Sequence, residues 1–199
     1  RRSVAKSITD VPSTIASYVS EAAPNANYGT ATRMRSSNAA NKKYGFFQIP
    51  FPDGAKGATI LSATLKLYVA ATWAGTTTIT LKRITGAWRE GRVTWTNKPS
   101  VVTTNSSAEA VNAPAANQEV EFDITAMMQD VASLQGKNYQ GFRIEVDASA
   151  DRVFWSDDYA LAALRPQLSM EWNHDPDPPI DGQPSEGRSV AAQFPILTF

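Results

Sequence analysis

Leu61-Ser62-Ala63-Thr64-Leu65-Lys66-Leu67-Tyr68-Val69 places an apolar residue at every second position. Successive side chains of a strand point to opposite faces, so this stretch predicts a strand. Leu61, Ala63, Leu65, Leu67 and Val69 are expected on its buried face, and Ser62, Thr64, Lys66 and Tyr68 on its solvated one. The same period recurs downstream. Val120, Phe122 and Ile124 alternate with Glu119, Glu121 and Asp123. Phe142, Ile144 and Val146 alternate with Arg143, Glu145 and Asp147. Leu168, Met170 and Trp172 alternate with Gln167, Ser169 and Glu171. Weaker alternation predicts strands over 14–19, 33–36, 44–49, 77–84 and 152–156. Turn-forming stretches such as Pro24-Asn25-Ala26-Asn27 and Pro52-Asp53-Gly54 separate them. One segment has a helical period. Thr125 is expected to cap a helix over 126–135 that Gly136 ends, with Met128, Val131 and Leu134 as its apolar stripe. About nine strands with polar outer faces and one short helix predict an all-β, antiparallel, jelly-roll-like β-sandwich.

The chain has 199 residues, enough for one good domain and a little more. Residues 1–172 are expected to form the sandwich and 173–187, rich in Pro, Asp and Gly, a stiff linker. Residues 188–199 turn apolar again, and are expected to begin a further β-domain or to form an interchain strand. Lys+Arg and Asp+Glu balance at 19 each, which argues against nucleic acid as a partner. No apolar run is long enough to insert in a membrane. There is no cysteine, so disulfides, thiolate metal sites and thiol nucleophiles are excluded.

Several phrases carry a family resemblance. Tyr18-Val19 and Asn27-Tyr28-Gly29 come first, followed by Phe46-Phe47-Gln48-Ile49-Pro50. Then come Pro52-Asp53-Gly54-Ala55 and the alternating strand quoted above. Trp88-Arg89-Glu90 precedes Val93-Thr94-Trp95-Thr96-Asn97-Lys98-Pro99. Phe122-Asp123-Ile124-Thr125, Tyr139-Gln140-Gly141-Phe142, Phe154-Trp155-Ser156 and Pro166-Gln167-Leu168 complete the order. In this order and over this span the chain resembles the DNRLRE (disaggregatase-related, carbohydrate-binding-module-like) domains, as found in minor tail proteins of phages infecting actinobacteria. The resemblance implies a jelly-roll-like accessory module that in some members binds polysaccharide. Those domains often carry an acid just before the first Tyr-Val, where this chain has Ala16-Ser17.

Trp88 and Trp95 are expected to pack the core or fix a long loop reaching Asn117, because large aromatics dominate packing energetics. Glu90 is expected to accept hydrogen bonds that hold that loop. Trp155, sharing its face with Val153, is expected to be buried. Trp73, beside Gly75 at a strand end, and Tyr159, after Asp157-Asp158, are the candidate sugar contacts, since an aromatic face stacks on a sugar ring. Asp157 and Asp158 have the oxygen chemistry for a structural calcium, although most such pairs are solvated loop residues. No other cofactor is expected. Catalysis has little support. The single His174 lies beside the Pro/Asp linker, and neither a G-x-S-x-G elbow nor an H-E-x-x-H motif occurs.

The expected function is a non-enzymatic structural and adhesion module of a phage minor tail protein. Its partners would be other tail proteins or copies of itself, and host cell-wall polysaccharide. The expected location is the virion tail. The competing reading is a carbohydrate-binding module of a secreted polysaccharide-degrading enzyme or of a bacterial surface protein.

Overall fold

The computed structural model describes residues 5–174. Four strands form one antiparallel sheet in the order β1 (Lys6–Pro12), β11 (Gln167–Asn173), β5 (Thr59–Tyr68), β8 (Glu119–Asp123). Five form the other in the order β2 (Ile15–Ser20), β4 (Lys43–Gln48), β9 (Phe142–Val146), β6 (Thr76–Ile84), β7 (Val101–Asn112). A short pair, β3 (Arg33–Ser36) with β10 (Arg152–Trp155), closes one side. It is tied to the β5 end by the Val69–Phe154 bridge and to β4 by the Ser37–Lys43 bridge. The helix α1 covers Thr125–Ser133.

The inner faces of the two sheets make one core, the arrangement of an all-β sandwich. Leu65, Leu67, Val120, Phe122, Leu168 and Met170 enter it from the first sheet, and Phe47, Ile79, Leu81, Phe142 and Ile144 from the second. Of the residues that the four alternating runs place inside, all but Leu61 are buried.

The structure corrects several details. Leu61 is 46% exposed while Ile60 is buried. Glu171 pairs with Ser62 but Trp172 pairs with Ile60, so a bulge skips Leu61 and swaps the faces beyond it. Tyr68 alternates away from the core yet is also buried. Its hydroxyl lies 2.9 Å from Glu119 Oε2 and 3.2 Å from Gln167 Oε1, and Trp155 shares its cluster. Thr125 opens the helix but does not cap it. Its N–H donates to the Asp123 carboxylate at 2.9 Å, and its Oγ1 accepts from the Ala63 N–H. Leu134 is 44% exposed; Met127 and Ala132 fill the core beside Met128 and Val131. Gln135 and Gly136 both have positive φ, and the Gly136 N–H returns to the Val131 carbonyl, which ends the helix.

Two strands were not expected. β7 occupies much of the expected loop to Asn117. It is an edge strand of Thr, Ser and Ala, of which only Val111 reaches the core, so its sequence lacks alternation. β1 has a register break between Ile8 and Val11, with Asp10 at positive φ, and this spoils its apolar period. β11 runs through Asn173. Most of the expected linker, and the apolar segment 188–199, lie outside the described residues.

Candidate functional site

Residues 88–99 form a strap across the outer face of the five-stranded sheet. Trp88 and Trp95 are half-buried there against Val19, Phe46, Ile84 and Val93. The Trp88 indole N–H donates to the Gln140 carbonyl at 2.8 Å. Trp95 stacks on Tyr44 with centroids 5.2 Å apart, and the Lys98 ammonium lies 4.1 Å from its ring centre. Both indoles therefore anchor the strap. Asn97 tightens it further. Its Oδ1 accepts from the Thr94 N–H, and its amide donates to the Arg92 carbonyl.

Glu90 ties this strap to the sheet edge. Its Oε1 accepts the Ala16 N–H of β2 at 2.9 Å. The Asn27 amide donates to the Glu90 and Val93 carbonyls at 2.6 and 2.8 Å. At Gly29 a Cβ would lie 2.4 Å from the Glu90 carbonyl oxygen, so the close approach needs glycine. Asn27-Tyr28-Gly29 and Trp88-Arg89-Glu90, distant in sequence, are thus two halves of one joint.

That joint adjoins Asp157 and Asp158. One oxygen from each of Glu90, Asp157 and Asp158 can be chosen so that all lie within 4.8 Å of one another. Burial first, then the negative charges of Glu90 and Asp158, push the Asp157 carboxyl up to about 7. Glu90 is also raised, mainly by burial, with the Ala16 N–H pulling the other way. Asp157 Oδ1 is sealed from solvent and has no hydrogen-bond partner. Such a trio of hard oxygens has the chemistry to hold a cation of the calcium type, or a proton. The sequence marks the Asp pair, and marks Glu90 as a hydrogen-bond acceptor of the strap, which it is. It does not bring Glu90 to that pair, because their approach depends on the strap.

Tyr159 stacks on Trp155, with centroids 3.6 Å apart and planes at 10°. Trp155 is buried as expected, but in a satellite cluster with Tyr68 and Ala70 rather than in the main core. Its indole N–H donates to Asn117 Oδ1 at 2.8 Å, and the exposed Arg33 guanidinium lies 4.9 Å from its ring centre. Arg165 Nε donates to the Tyr159 carbonyl at 2.9 Å, which steadies the loop. The half-buried Tyr159 is thus a rigidly backed aromatic plate.

Trp73 is also half-buried. It meets Phe154 edge-on at 6.2 Å, and the Arg152 guanidinium lies 5.1 Å from its ring centre. Its indole N–H is buried without a partner. Trp73 and Tyr159 pack on different clusters, the main core and the satellite respectively, and no ring contact joins them. A third feature lies on the strap. A pocket of about 310 Å³ is lined by Ala87, Trp88, Arg89, Arg92, Val93 and Asn97. Arg89 and Arg92 are exposed and make no ion pair among the described residues. Sequence reading missed this pocket, because an arginine beside a turn carries no signal of its own.

The fold is an antiparallel β-sandwich on which two half-buried aromatics, Trp73 and Tyr159, pack on separate clusters. The chain belongs to carbohydrate-binding module family 96, whose model matches residues 7–171, from β1 into β11. No curated protein matches the sequence.

Proposed function

We propose that this domain is a non-enzymatic adhesion module of a phage minor tail protein, carried on the virion tail, that holds host cell-surface glycan by aromatic stacking. The observation that carries glycan contact is Tyr159 lying flat on Trp155. A ring fixed in this way offers its other face at little entropic cost, and an aromatic face suits the apolar side of a sugar ring. Membership of a carbohydrate-binding module family supports the sugar class. The ordered resemblance to domains of phage tail proteins supports the tail setting. Family membership supports equally an accessory module of a secreted polysaccharide-degrading enzyme or of a bacterial surface protein, at the cell surface or outside the cell.

Absence of turnover has its own support. Glycoside hydrolysis needs a general acid and a second carboxylate free to act on opposite sides of a bound sugar. Glu90 is committed to the β2 edge. Such modules are typically non-catalytic. Presenting glycan contacts from rigid loops suits attachment, where several copies multiply avidity without new contacts.

The test incubates the purified domain with host cell-wall glycan, and measures retention and sugar release together. Retention without release is expected. Tyr159→Ala should lower retention more than Trp73→Ala, because Arg152 lies over the Trp73 ring. Release of sugar that one carboxylate substitution abolishes would overturn the non-enzymatic reading. Retention unchanged in the double variant would remove both aromatics from the site.

A further inference from the structure

The sandwich has four sheet edges, and three of them are blocked. β1 carries Lys6, Asp10 and Pro12 and a register break. The β2 edge is engaged by Glu90, which takes the Ala16 N–H. β8 alternates Glu119, Glu121 and Asp123 along five residues. Charges, prolines, bulges and covering loops are the usual devices that keep edges from pairing. β7 is different. Its twelve residues, VVTTNSSAEAVN, include one charge, Glu109, and neither lysine nor proline. Its single irregularity lies before Ser107, and from Ser107 to Asn112 it pairs regularly with β6.

The register fixes which backbone groups are free. The Ala113 N–H donates to the Gly75 carbonyl of the β6 side. In an antiparallel ladder alternate residues turn both N–H and C=O the same way. Ser107, Glu109 and Val111 therefore bond β6, while Ala108, Ala110 and Asn112 turn their N–H and C=O groups outward. No other strand among the described residues pairs with this side. The outward-bonding residues are small, and Ala108, Ala110 and Asn112 are exposed.

We propose that this edge is a docking surface for a second copy of the chain, joined β7 to β7 across a two-fold axis at Ala110. The segment is self-complementary in this register. Ala110 faces its own copy, and Ala108 faces Asn112 in both directions. All three outward-bonding residues fall on hydrogen-bonded positions of the new ladder. Glu109, the only charge, then faces the neutral Val111 rather than itself. The two five-stranded sheets become one continuous sheet, an isologous contact of the β-augmentation kind. So short a ladder gives weak pairing, effective where copies are already concentrated.

The experiment measures the mass of the 199-residue chain by light scattering from micromolar to millimolar concentration, with hydrogen exchange at both ends of the range. Mass should approach twofold, and exchange at the Ala108, Ala110 and Asn112 amides should slow as it does. Ala110→Pro removes an outward N–H without touching the β6 ladder, and edge strands tolerate proline there. It should remain a monomer with an unchanged circular dichroism spectrum. Ala110→Lys retains the N–H but sets two ammonium groups opposite each other, and should also remain a monomer, which guards against a folding defect in the first variant. Constant monomer mass at millimolar concentration overturns the proposal. So does pairing that survives in a folded variant, or slow exchange at these amides in the monomer, which would mean that the chain covers its own edge.

Discussion

Asp157 is held where its charge is unwelcome. Its carboxyl is pushed up to about 7 by burial and by the neighbouring Glu90 and Asp158, against the weaker pull of Arg165. Raised folded affinity for a proton means that the folded state binds more protons than the unfolded state between roughly pH 4 and pH 7. Stability from this residue is therefore fully present below pH 4 and is lost as pH rises through 7. In a sealed interior the displacement would weigh about 4 kcal/mol. One oxygen is sealed but the side chain is only half-buried, so about 1–2 kcal/mol remains after solvent screening. Asp157→Asn should then raise the melting temperature at pH 8 by roughly 2–8 °C, and change it little at pH 4. Melting curves in chelating buffer, where only protons neutralise the trio, check this; an unchanged midpoint at pH 8 would refute it. Leu61 and Leu65 give a second contrast at this scale. Leu65→Ala should cost about 2–5 kcal/mol, because it empties a core position. Leu61→Ala, on the bulge, should stay within about 0.5 kcal/mol. Denaturant titration distinguishes them, and equal effects would reject the bulge.

At the scale of elements, the strap over 88–99 is held by packing rather than by regular pairing. Trp88 combines contact with Phe46 and a hydrogen bond to the Gln140 carbonyl. Trp88→Ala should destabilise the domain by about 3–5 kcal/mol, measured as a fall in the unfolding midpoint at constant slope. A negligible change would mean that the strap is free to leave the sheet. The entry to α1 depends on Asp123, whose carboxyl is held below its usual range by bonds to Thr125. Asp123→Ala should cost about 1 kcal/mol, while Thr125→Val, which leaves the Asp123 bond to the backbone intact, tests the link to the Ala63 N–H instead.

For the whole molecule the pairing of segments distant in sequence matters most. Asp10 and Ser169, 159 residues apart, join β1 to β11. Contacts of such sequence separation must be closed before they reward the chain, so refolding should be slow, on the order of milliseconds to seconds. Stopped-flow fluorescence of the five tryptophans reads this directly, and microsecond folding would contradict the role of distant pairing.

Alternation determined most strands with a buried face, the antiparallel class and most of the core residues that those strands supply, because period-2 burial is written locally. Residue chemistry marked the Asp157-Asp158 pair and the strap tryptophans as features. Alternation could not show β7, which is an edge and buries almost nothing, nor β1, whose period is broken by a bulge. It placed Leu61 on the wrong face, because a bulge is set by the partner strand and not by the residue. Only the tertiary structure brought Glu90 to Asp157, stacked Tyr159 on Trp155 and laid Arg152 over Trp73. The first and last join distant segments, whose spacing follows from how the sheets and the strap pack. The turn that lays Tyr159 over Trp155 is held by Ser156 and Arg165, and no local pattern encodes either arrangement.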